Sequence, residues 1–224
     1  MVAGGGIDVI ELPALNEPRL QIERDFFWKY TFFKIKAVSL VQFEKIVLID
    51  SDMLVLKNLD SLFERPSMSA AVAGKCLHND WDKLNSGLLV IKPSLDLYNT
   101  LCESIDTTIK SKNELGLACG DQDVFHYVFP RWNKETELHL HESYNVLFNV
   151  IGTFLKYYNC NEKDIAIVHF IGEKKPWHYS RLHWIKLILD AIKYRDYRFL
   201  GFRVKCWNMY YKMCKNGSNK YENL

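Results

Sequence analysis

An apolar run that ends abruptly in two carboxylates is the clearest pattern in this chain. Residues 46–49 read Ile-Val-Leu-Ile, and Asp50-Ser51-Asp52 follow directly. Consecutive apolar residues with β-branched members predict a fully buried strand with helices on both faces of its sheet. Because ligand sites of α/β proteins lie at the carboxyl ends of such strands, we expect a ligand site at residues 50–52.

The rest of the chain alternates between short apolar runs and segments of helical periodicity. The apolar runs predict further strands at residues 7–12, 69–73, 87–91 and 166–170. Helical stretches are predicted at residues 24–43, 60–63 and 121–129. Ser94 is a good N-cap for one more helix, whose apolar face carries Leu97, Leu101, Ile105 and Ile109. Without an internal repeat or linker, these elements predict one mixed α/β domain.

The two carboxylates after the first strand are the first candidates for chemistry. Side chains alternate along an extended backbone, so Asp50 and Asp52 would point the same way. Two like charges at that distance repel each other, and a divalent cation relieves the repulsion. The alternative is turn chemistry, because Asp and Ser side chains satisfy backbone groups in turns. The buried strand before the pair favours a site that binds a metal and a diphosphate.

Composition is that of an ordered globular protein. The 224 residues are 48% hydrophobic and 14% aromatic, with a net charge of +2, and we expect no nucleic-acid partner. The six cysteines include no Cys-X-X-Cys pair, so zinc ligation and a redox dithiol have no support, although disulfides stay open. His139 and His141 alternate along a predicted strand, where a metal pair and a solvated strand face are alternatives.

Four short sequence blocks follow one another along the chain. They are Asp50-Ser51-Asp52, Asn85-Ser86-Gly87, Gly120-Asp121-Gln122 and, over residues 169–177, His-Phe-Ile-Gly-Glu-Lys-Lys-Pro-Trp. In this order and spacing they resemble glycosyltransferase family 8, the glycogenin-like retaining enzymes. The resemblance covers about residues 7–177. It implies a GT-A-like α/β domain with a mixed central sheet flanked by helices.

The resemblance also implies roles for single residues. Asp50, Asp52 and His169 would be the metal ligands, and their mixed carboxylate and imidazole set favours Mn²⁺ over Mg²⁺. Asp121 and Gln122 would act in catalysis at the sugar. The donor-binding residues would be Lys34, Asp50, Ser51, Asp52, Asn85, Ser86, Gly87, Gly172 and Lys175. Two alternatives stay open: a buried histidine that caps a strand at His169, and a helix N-cap at Asp121.

The function implied by the resemblance is transfer of a hexose or related sugar from a UDP-sugar, with retained anomeric configuration. Tyr144-Asn145 resembles the family's acceptor-side Tyr-Asn, and glycogenin-like members carry their self-glycosylated tyrosine eight positions later. Here that position is Gly152, so a separate carbohydrate, lipid or protein acceptor is expected. The rivals are a non-catalytic binding or scaffold protein and a nucleotide-sugar hydrolase.

The two ends of the chain depart from the family pattern. Fewer residues precede Asp50 than in family members, so we expect a catalytic domain at residues 1–179 that is truncated at its N-terminus. Residues 180–224 would be a basic, aromatic helical extension. From Lys193 onward it carries eight Lys and Arg against two Asp and Glu. Such a segment could lie on an anionic membrane surface or dock a protein partner. The alternative is a solvated C-terminal helix that packs a few aromatic rings onto the domain.

The sequence also yields an expectation about location in the cell. The first residues, Met-Val-Ala-Gly-Gly-Gly, lack the basic flank and apolar core of a signal peptide. No apolar run in the sequence approaches the length that spans a bilayer. We therefore expect a cytoplasmic or Golgi-associated protein.

Overall fold

Two compact units make up the chain. The computed structural model describes residues 10–13, 29–172, 175, 185, 188, 189, 192 and 200–221. The first unit combines Met1–Phe43 with Pro93–Val128, and the second combines Glu44–Lys92 with Phe129–Leu224. The chain thus leaves the second unit once, at residues 93–128, and returns to it.

Helices are the regular elements in the described part of the first unit. Helix α1 spans Leu95–Glu114, helix α2 spans Asp121–Val128, and a 3₁₀ helix spans Lys29–Ser39. The predicted cap is confirmed, since the Ser94 hydroxyl accepts from the Leu97 amide at 3.3 Å. The predicted apolar face turns inward at Leu101, Ile105 and Ile109. Helix α1 packs against both other helices. Of the helix predicted at residues 24–43, residues 24–28 lie outside the described part.

Two mixed sheets form the framework of the second unit. The first has the order β1 (Ile46–Ile49), β4 (Leu88–Ile91), β3 (Ser69–Ala71) and β5 (His139–Leu140). The second has the order β2 (Met53–Val55), β7 (Ile167–His169) and β6 (Val146–Leu147). The pairs β3–β5 and β6–β7 are parallel, and all other described pairs are antiparallel. The predicted mixed α/β class is confirmed.

The second unit also contains two α-helices and several 3₁₀ helices among its described residues. They are α3 (Ile151–Tyr157) and α4 (Leu200–Tyr221), with 3₁₀ helices at Asp60–Glu64, Trp132–Lys134, Thr136–Leu138, Glu142–Tyr144, Phe148–Val150 and Glu162–Asp164. Leu54 and Val168 of the sheet share one core with Phe154 of α3 and Phe202 of α4. Burying such side chains contributes roughly 1.5–3 kcal/mol each. The division at residues 179 and 180 stays a prediction.

Strand burial differs from the expectation in one respect. The prediction that residues 46–49 are fully buried is wrong, because all four are half-buried. Within the described chain β1 lies at the edge of its sheet, whereas β4 lies between β1 and β3 and is completely buried. Of the strand predicted at residues 7–12, residues 10–12 are irregular and 7–9 lie outside the described part. No helix among the described residues has both the length and the apolarity to cross a membrane.

Candidate functional site

Residues 50–52 form a turn at the end of β1. The Met53 amide donates to the Asp50 carbonyl at 3.1 Å, and the Asp50 amide donates to the Gly87 carbonyl at 2.9 Å. The expectation of an extended backbone here is therefore wrong, and the alternative of a turn at residues 50–52 applies. Both carboxylates nevertheless reach the same imidazole. The turn therefore does not exclude a metal site formed by the two carboxylates and His169.

His169 lies beside the carboxylates because its strand, β7, pairs with β2. Strand β2 begins directly after Asp52, and Met53 is paired with His169 in the antiparallel ladder to β7. The Phe170 amide donates to the Asp52 carbonyl at 2.9 Å, which extends the ladder by one bond. This register fixes the imidazole beside the turn.

Asp50, Asp52 and His169 together form a group that could hold a metal ion. One ligand atom of each lies within 4.8 Å of the others. The His169 Nε2 atom is 3.2 Å from Asp52 Oδ1 and 4.0 Å from Asp50 Oδ2. His169 is 5% exposed, while the two carboxylates are more open. Two oxygen ligands and one nitrogen ligand on a half-open face are a donor set that fits a divalent cation.

Asn145 orients the imidazole. The Gly87 amide donates to Asn85 Oδ1 at 3.0 Å, so this oxygen is an acceptor. The Asn145 side-chain NH₂ donates to the same oxygen at 2.8 Å. Its Oδ1 must then be the atom that lies 2.9 Å from His169 Nδ1, so Nδ1 donates to it. Nε2 is therefore the ring nitrogen that faces Asp50 and Asp52, and it is the atom that would ligate a metal ion.

Lys175 contributes the positive charge of the cluster. Its ammonium group lies 2.5 Å from Asp52 Oδ2 and donates to the Phe170 carbonyl at 3.0 Å. Burial alone would raise the pKa of Asp52, but bonds and charges from His169 and then Lys175 lower that pKa to about 2. Asp52 is therefore ionised at neutral pH. Its Oδ1 faces His169 while Lys175 occupies Oδ2.

Gly87 lies against the imidazole and leaves no room for a side chain. A Cβ atom at this position would be 2.6 Å from the Met53 methyl group and 2.7 Å from His169 Cε1. Ser86 beside it is buried, and Asn85 is half-buried. The Asn-Ser-Gly block therefore supports the metal-ligand cluster directly, and its donor-binding role stays a prediction.

Tyr210 is a site-adjacent residue that the sequence did not single out. Its hydroxyl donates to the carbonyl of Ser51, between the two carboxylates, at 2.5 Å. Its ring stacks on Phe170, with centroids 4.8 Å apart. Burial raises the pKa of Tyr210, so the hydroxyl stays a donor. No local pattern marks it, because Ser51 and Tyr210 are far apart in sequence.

The remaining predicted residues of the first unit form their own group. Lys34 and Asp121 make an ion pair of 2.9 Å, and Asp121 is 3% exposed. The Asp121 amide donates to Thr31 Oγ1 at 3.2 Å. Asp121 is the first residue of α2, and its carboxylate pairs with Lys34 instead of capping the helix. Gln122 beside it is half-buried.

Other expected candidates are placed apart from the cluster or at its margin. His139 Nε2 lies 3.1 Å from the Trp132 carbonyl, and His141 Nδ1 accepts from the Ser143 amide, so the two histidines do not form a metal pair. Gly172 is exposed with a φ of +100°. Gly152, the position without a hydroxyl, is buried in α3.

Comparison with known proteins places these residues in a family. The sequence model of glycosyl transferase family 8 matches residues 19–181. Glycogenin-1 of Mus musculus is 33% identical over 175 residues, 77% of this chain and 47% of that protein. UDP-glucuronate:xylan alpha-glucuronosyltransferase 2 of Arabidopsis thaliana is 32% identical over 162 residues, 69% of this chain and 24% of that protein.

A solved structure extends the likeness to the fold. The apo-form glycosyltransferase GlyE of Streptococcus pneumoniae TIGR4 superposes with a TM-score of 0.50 at 22% identity, over 75% of this chain and 47% of that chain. At this identity the likeness shows the fold alone. The chain spans less than half the length of each of these relatives.

Proposed function

The chain belongs to glycosyl transferase family 8, and on that premise we propose that it transfers a hexose or related sugar from a UDP-sugar to a separate acceptor. The observation that carries this proposal is the convergence of Asp50, Asp52 and His169 within 4.8 Å beside the Lys175 ammonium. Two carboxylates, an imidazole and a cation are what a metal-bound diphosphate needs.

A divalent metal ion suits this donor set. The two carboxylates are hard ligands, and the bond from His169 Nδ1 to Asn145 directs Nε2 toward them. An imidazole among carboxylates favours Mn²⁺, since Mg²⁺ prefers oxygen ligands alone. When bound, the ion supplies positive charge that stabilises the diphosphate leaving group.

Lys175 is proposed to act on the same leaving group. In the reaction the bond from the anomeric carbon to a diphosphate oxygen breaks, and a bond from that carbon to an acceptor hydroxyl oxygen forms. The acceptor hydroxyl gives its proton to an oxygen of the departing diphosphate, and UDP departs with the bonding electron pair. The Lys175 ammonium, already beside Asp52, can donate a charge-assisted hydrogen bond to the negative charge that develops.

The donor and catalytic assignments extend the proposal to other residues. Asn85 presents an amide beside the imidazole, next to Ser86 and Gly87. Asp121 and Gln122 are proposed to act at the sugar, where a carboxylate and an amide bind hydroxyl groups. Retention of the anomeric configuration follows from family membership alone.

The acceptor is proposed to be a separate carbohydrate, lipid or protein. The hydroxyls of the two tyrosines nearest to Gly152 in sequence are engaged, because Tyr157 donates to Asn79 at 2.6 Å and Tyr158 donates to Glu142 at 3.0 Å. Incubation with UDP-glucose and Mn²⁺ should therefore leave the intact mass of the protein unchanged. A ladder of hexose additions on Tyr157 or Tyr158 would assign self-glycosylation instead.

Product analysis separates this proposal from its two rivals. The protein is incubated with UDP-glucose, UDP-galactose, UDP-xylose or UDP-glucuronate and Mn²⁺, with and without oligosaccharide acceptors. A transferase yields glycosylated acceptor, with UDP release that rises when acceptor is added. Free sugar formed at the same rate without acceptor indicates a hydrolase. UDP binding without any product indicates a binding or scaffold protein.

A further inference from the structure

A surface loop projects from the same sheet edge as the metal-ligand cluster. It runs from residue 72 to residue 84, between β3 and the Asn-Ser-Gly block. Its ends are joined, because the Asn85 amide donates to the Ala71 carbonyl at 2.9 Å. Closed loops of this length are compact and frequently functional. We call residues 72–84 the edge loop.

The base of the edge loop is held by a buried carboxylate. Glu142, 3% exposed, accepts from the amides of Gly74 at 2.7 Å and Cys76 at 3.0 Å. It also accepts from the Tyr158 hydroxyl at 3.0 Å. Burial and this carboxylate raise the pKa of the Cys76 thiol to about 12. The bonds from Gly74 and Cys76 therefore tie the base of the loop to one buried side chain.

The outer half of the edge loop is exposed and carries an aromatic surface. Residues 77–83 are all exposed, and Trp81 keeps 44% of its surface accessible. The Trp81 ring stacks with His78 at a centroid distance of 4.5 Å. Gly74, with φ +84°, makes room for it, since a Cβ there would lie 2.6 Å from Trp81 Cζ3.

Polar groups surround these rings and tie the loop to its neighbours. Tyr157, 46% exposed, donates to Asn79 at 2.6 Å. Asp82 accepts from the Asn133 amide at 2.5 Å. Asp80 is exposed between the two anchored residues. Because the loop is anchored at both its base and its rim, its exposed tryptophan loses little conformational freedom on binding.

We propose that the edge loop binds a sugar ring of an oligosaccharide acceptor, with Trp81 as the stacking platform. The proposal rests on the proposed glycosyl transfer and names the acceptor class. Aromatic faces contact the C–H surface of a pyranose, while amides and carboxylates such as Asn79 and Asp80 bind its hydroxyls. The loop returns directly to Asn85, which contacts the Asn145 that orients His169. A sugar on Trp81 is thereby placed on the same edge as the diphosphate.

Trp81→Ala and Trp81→Phe test the proposal, with Phe63→Ala as the matched control. Phe63 is equally exposed at 45% but belongs to the 3₁₀ helix Asp60–Glu64. The probes are maltopentaose, cellopentaose, xylopentaose and chitopentaose, each titrated by calorimetry and by saturation-transfer NMR in the presence of UDP and Mn²⁺. Thermal unfolding of each variant controls for loss of fold, and UDP affinity is measured in parallel.

We expect at least one pentasaccharide to bind the parent protein. Trp81→Ala should weaken that binding by about tenfold or more, whereas Trp81→Phe retains most of it. UDP affinity should stay unchanged in both variants and in the control. Equal pentasaccharide affinity in the parent and Trp81→Ala overturns the proposal, as does a parent that binds UDP but no pentasaccharide. A parent that binds a pentasaccharide through Trp81 but not UDP overturns the proposed transfer and leaves the sugar site standing.

Discussion

The Tyr210 hydroxyl donates to the carbonyl of Ser51, the residue between the two carboxylates of the candidate metal site. The same tyrosine stacks on Phe170, whose amide bonds to the Asp52 carbonyl. One side chain of α4 therefore contacts both segments that supply the proposed ligands. Helix α4 lies beyond residue 181, where the family match ends. The C-terminal helix is thus part of the support of the site.

Removing the tyrosine hydroxyl should loosen the turn. Tyr210→Phe keeps the ring on Phe170 and loses the bond to Ser51, which lowers the free energy of unfolding by about 0.5–1.5 kcal/mol. We expect the affinity for Mn²⁺ in the presence of UDP to fall about tenfold, because a supporting bond of the ligand turn is gone. Calorimetry measures the affinity, and urea unfolding measures the stability.

Tyr211→Phe is the control for this change. Tyr211 neighbours Tyr210 on α4, but its ring stacks on Trp207 at 5.0 Å. It should bind Mn²⁺ and UDP like the parent. If Tyr210→Phe does so as well, the bond to Ser51 does not support the site.

Loss of the Asn145 amide should release the imidazole. In Asn145→Ala the Nδ1 proton of His169 loses its acceptor, and the affinity for Mn²⁺ should fall about 10- to 100-fold. The control is Asn58→Ala, which removes an exposed asparagine that bonds only to Asp60 among the described contacts. It should leave the affinity for Mn²⁺ unchanged. Nitrogen-15 NMR of the metal-free parent should show a protonated Nδ1 on His169. An unprotonated Nδ1 would contradict the orientation described above.

Lys175 should matter to the diphosphate with or without metal. Lys175→Ala removes a charge-assisted contact, and UDP affinity should drop about tenfold or more. Lys57→Ala, an exposed lysine on the same unit, is the control. Calorimetric titration with UDP, in Mn²⁺ and in chelator, gives both affinities. A variant that binds UDP as tightly as the parent would make Lys175 a solvated cation beside Asp52.

The ionisation of Asp52 sets a pH dependence. Although burial opposes it, His169 and Lys175 lower the folded pKa of Asp52 from 3.8 to about 2. Its contribution to stability is therefore complete above pH 3.8 and is lost as the pH falls through about 2. Carbon-13 NMR of the metal-free protein should give a carboxyl titration midpoint near 2. Lys175→Ala should raise this midpoint, and an ordinary midpoint in the parent would refute the described contacts.

Local patterns in the sequence predicted elements better than they predicted contacts. The Ser94 cap follows from one residue and the apolar face behind it, because capping acts within one helical turn. The partly exposed β1 did not follow, since burial depends on which strands flank it. An apolar run alone cannot distinguish an edge strand from a central one.

The candidate site shows the same division. The family blocks pointed to Asp50, Asp52 and His169, which the structure brings together. The sequence indicated an extended backbone at the two carboxylates and left a turn as the alternative. The structure has the turn. The Asn145 bonds and the Tyr210 contact depend on side chains distant in sequence. No pattern in one sequence specifies such pairs, because they arise only when the sheets and α4 pack.

Metal-dependent binding of UDP tests the central claim most directly. Calorimetric titration of UDP is compared with and without Mn²⁺ for the parent, Asp52→Ala and His169→Ala, with circular dichroism to show that each variant is folded. These side chains lie at strand ends, outside the two described cores, so the fold should persist. We predict that Mn²⁺ strengthens UDP binding by the parent and that both variants lose this effect. Metal-dependent UDP binding that survives in either folded variant would contradict the assignment of the metal site.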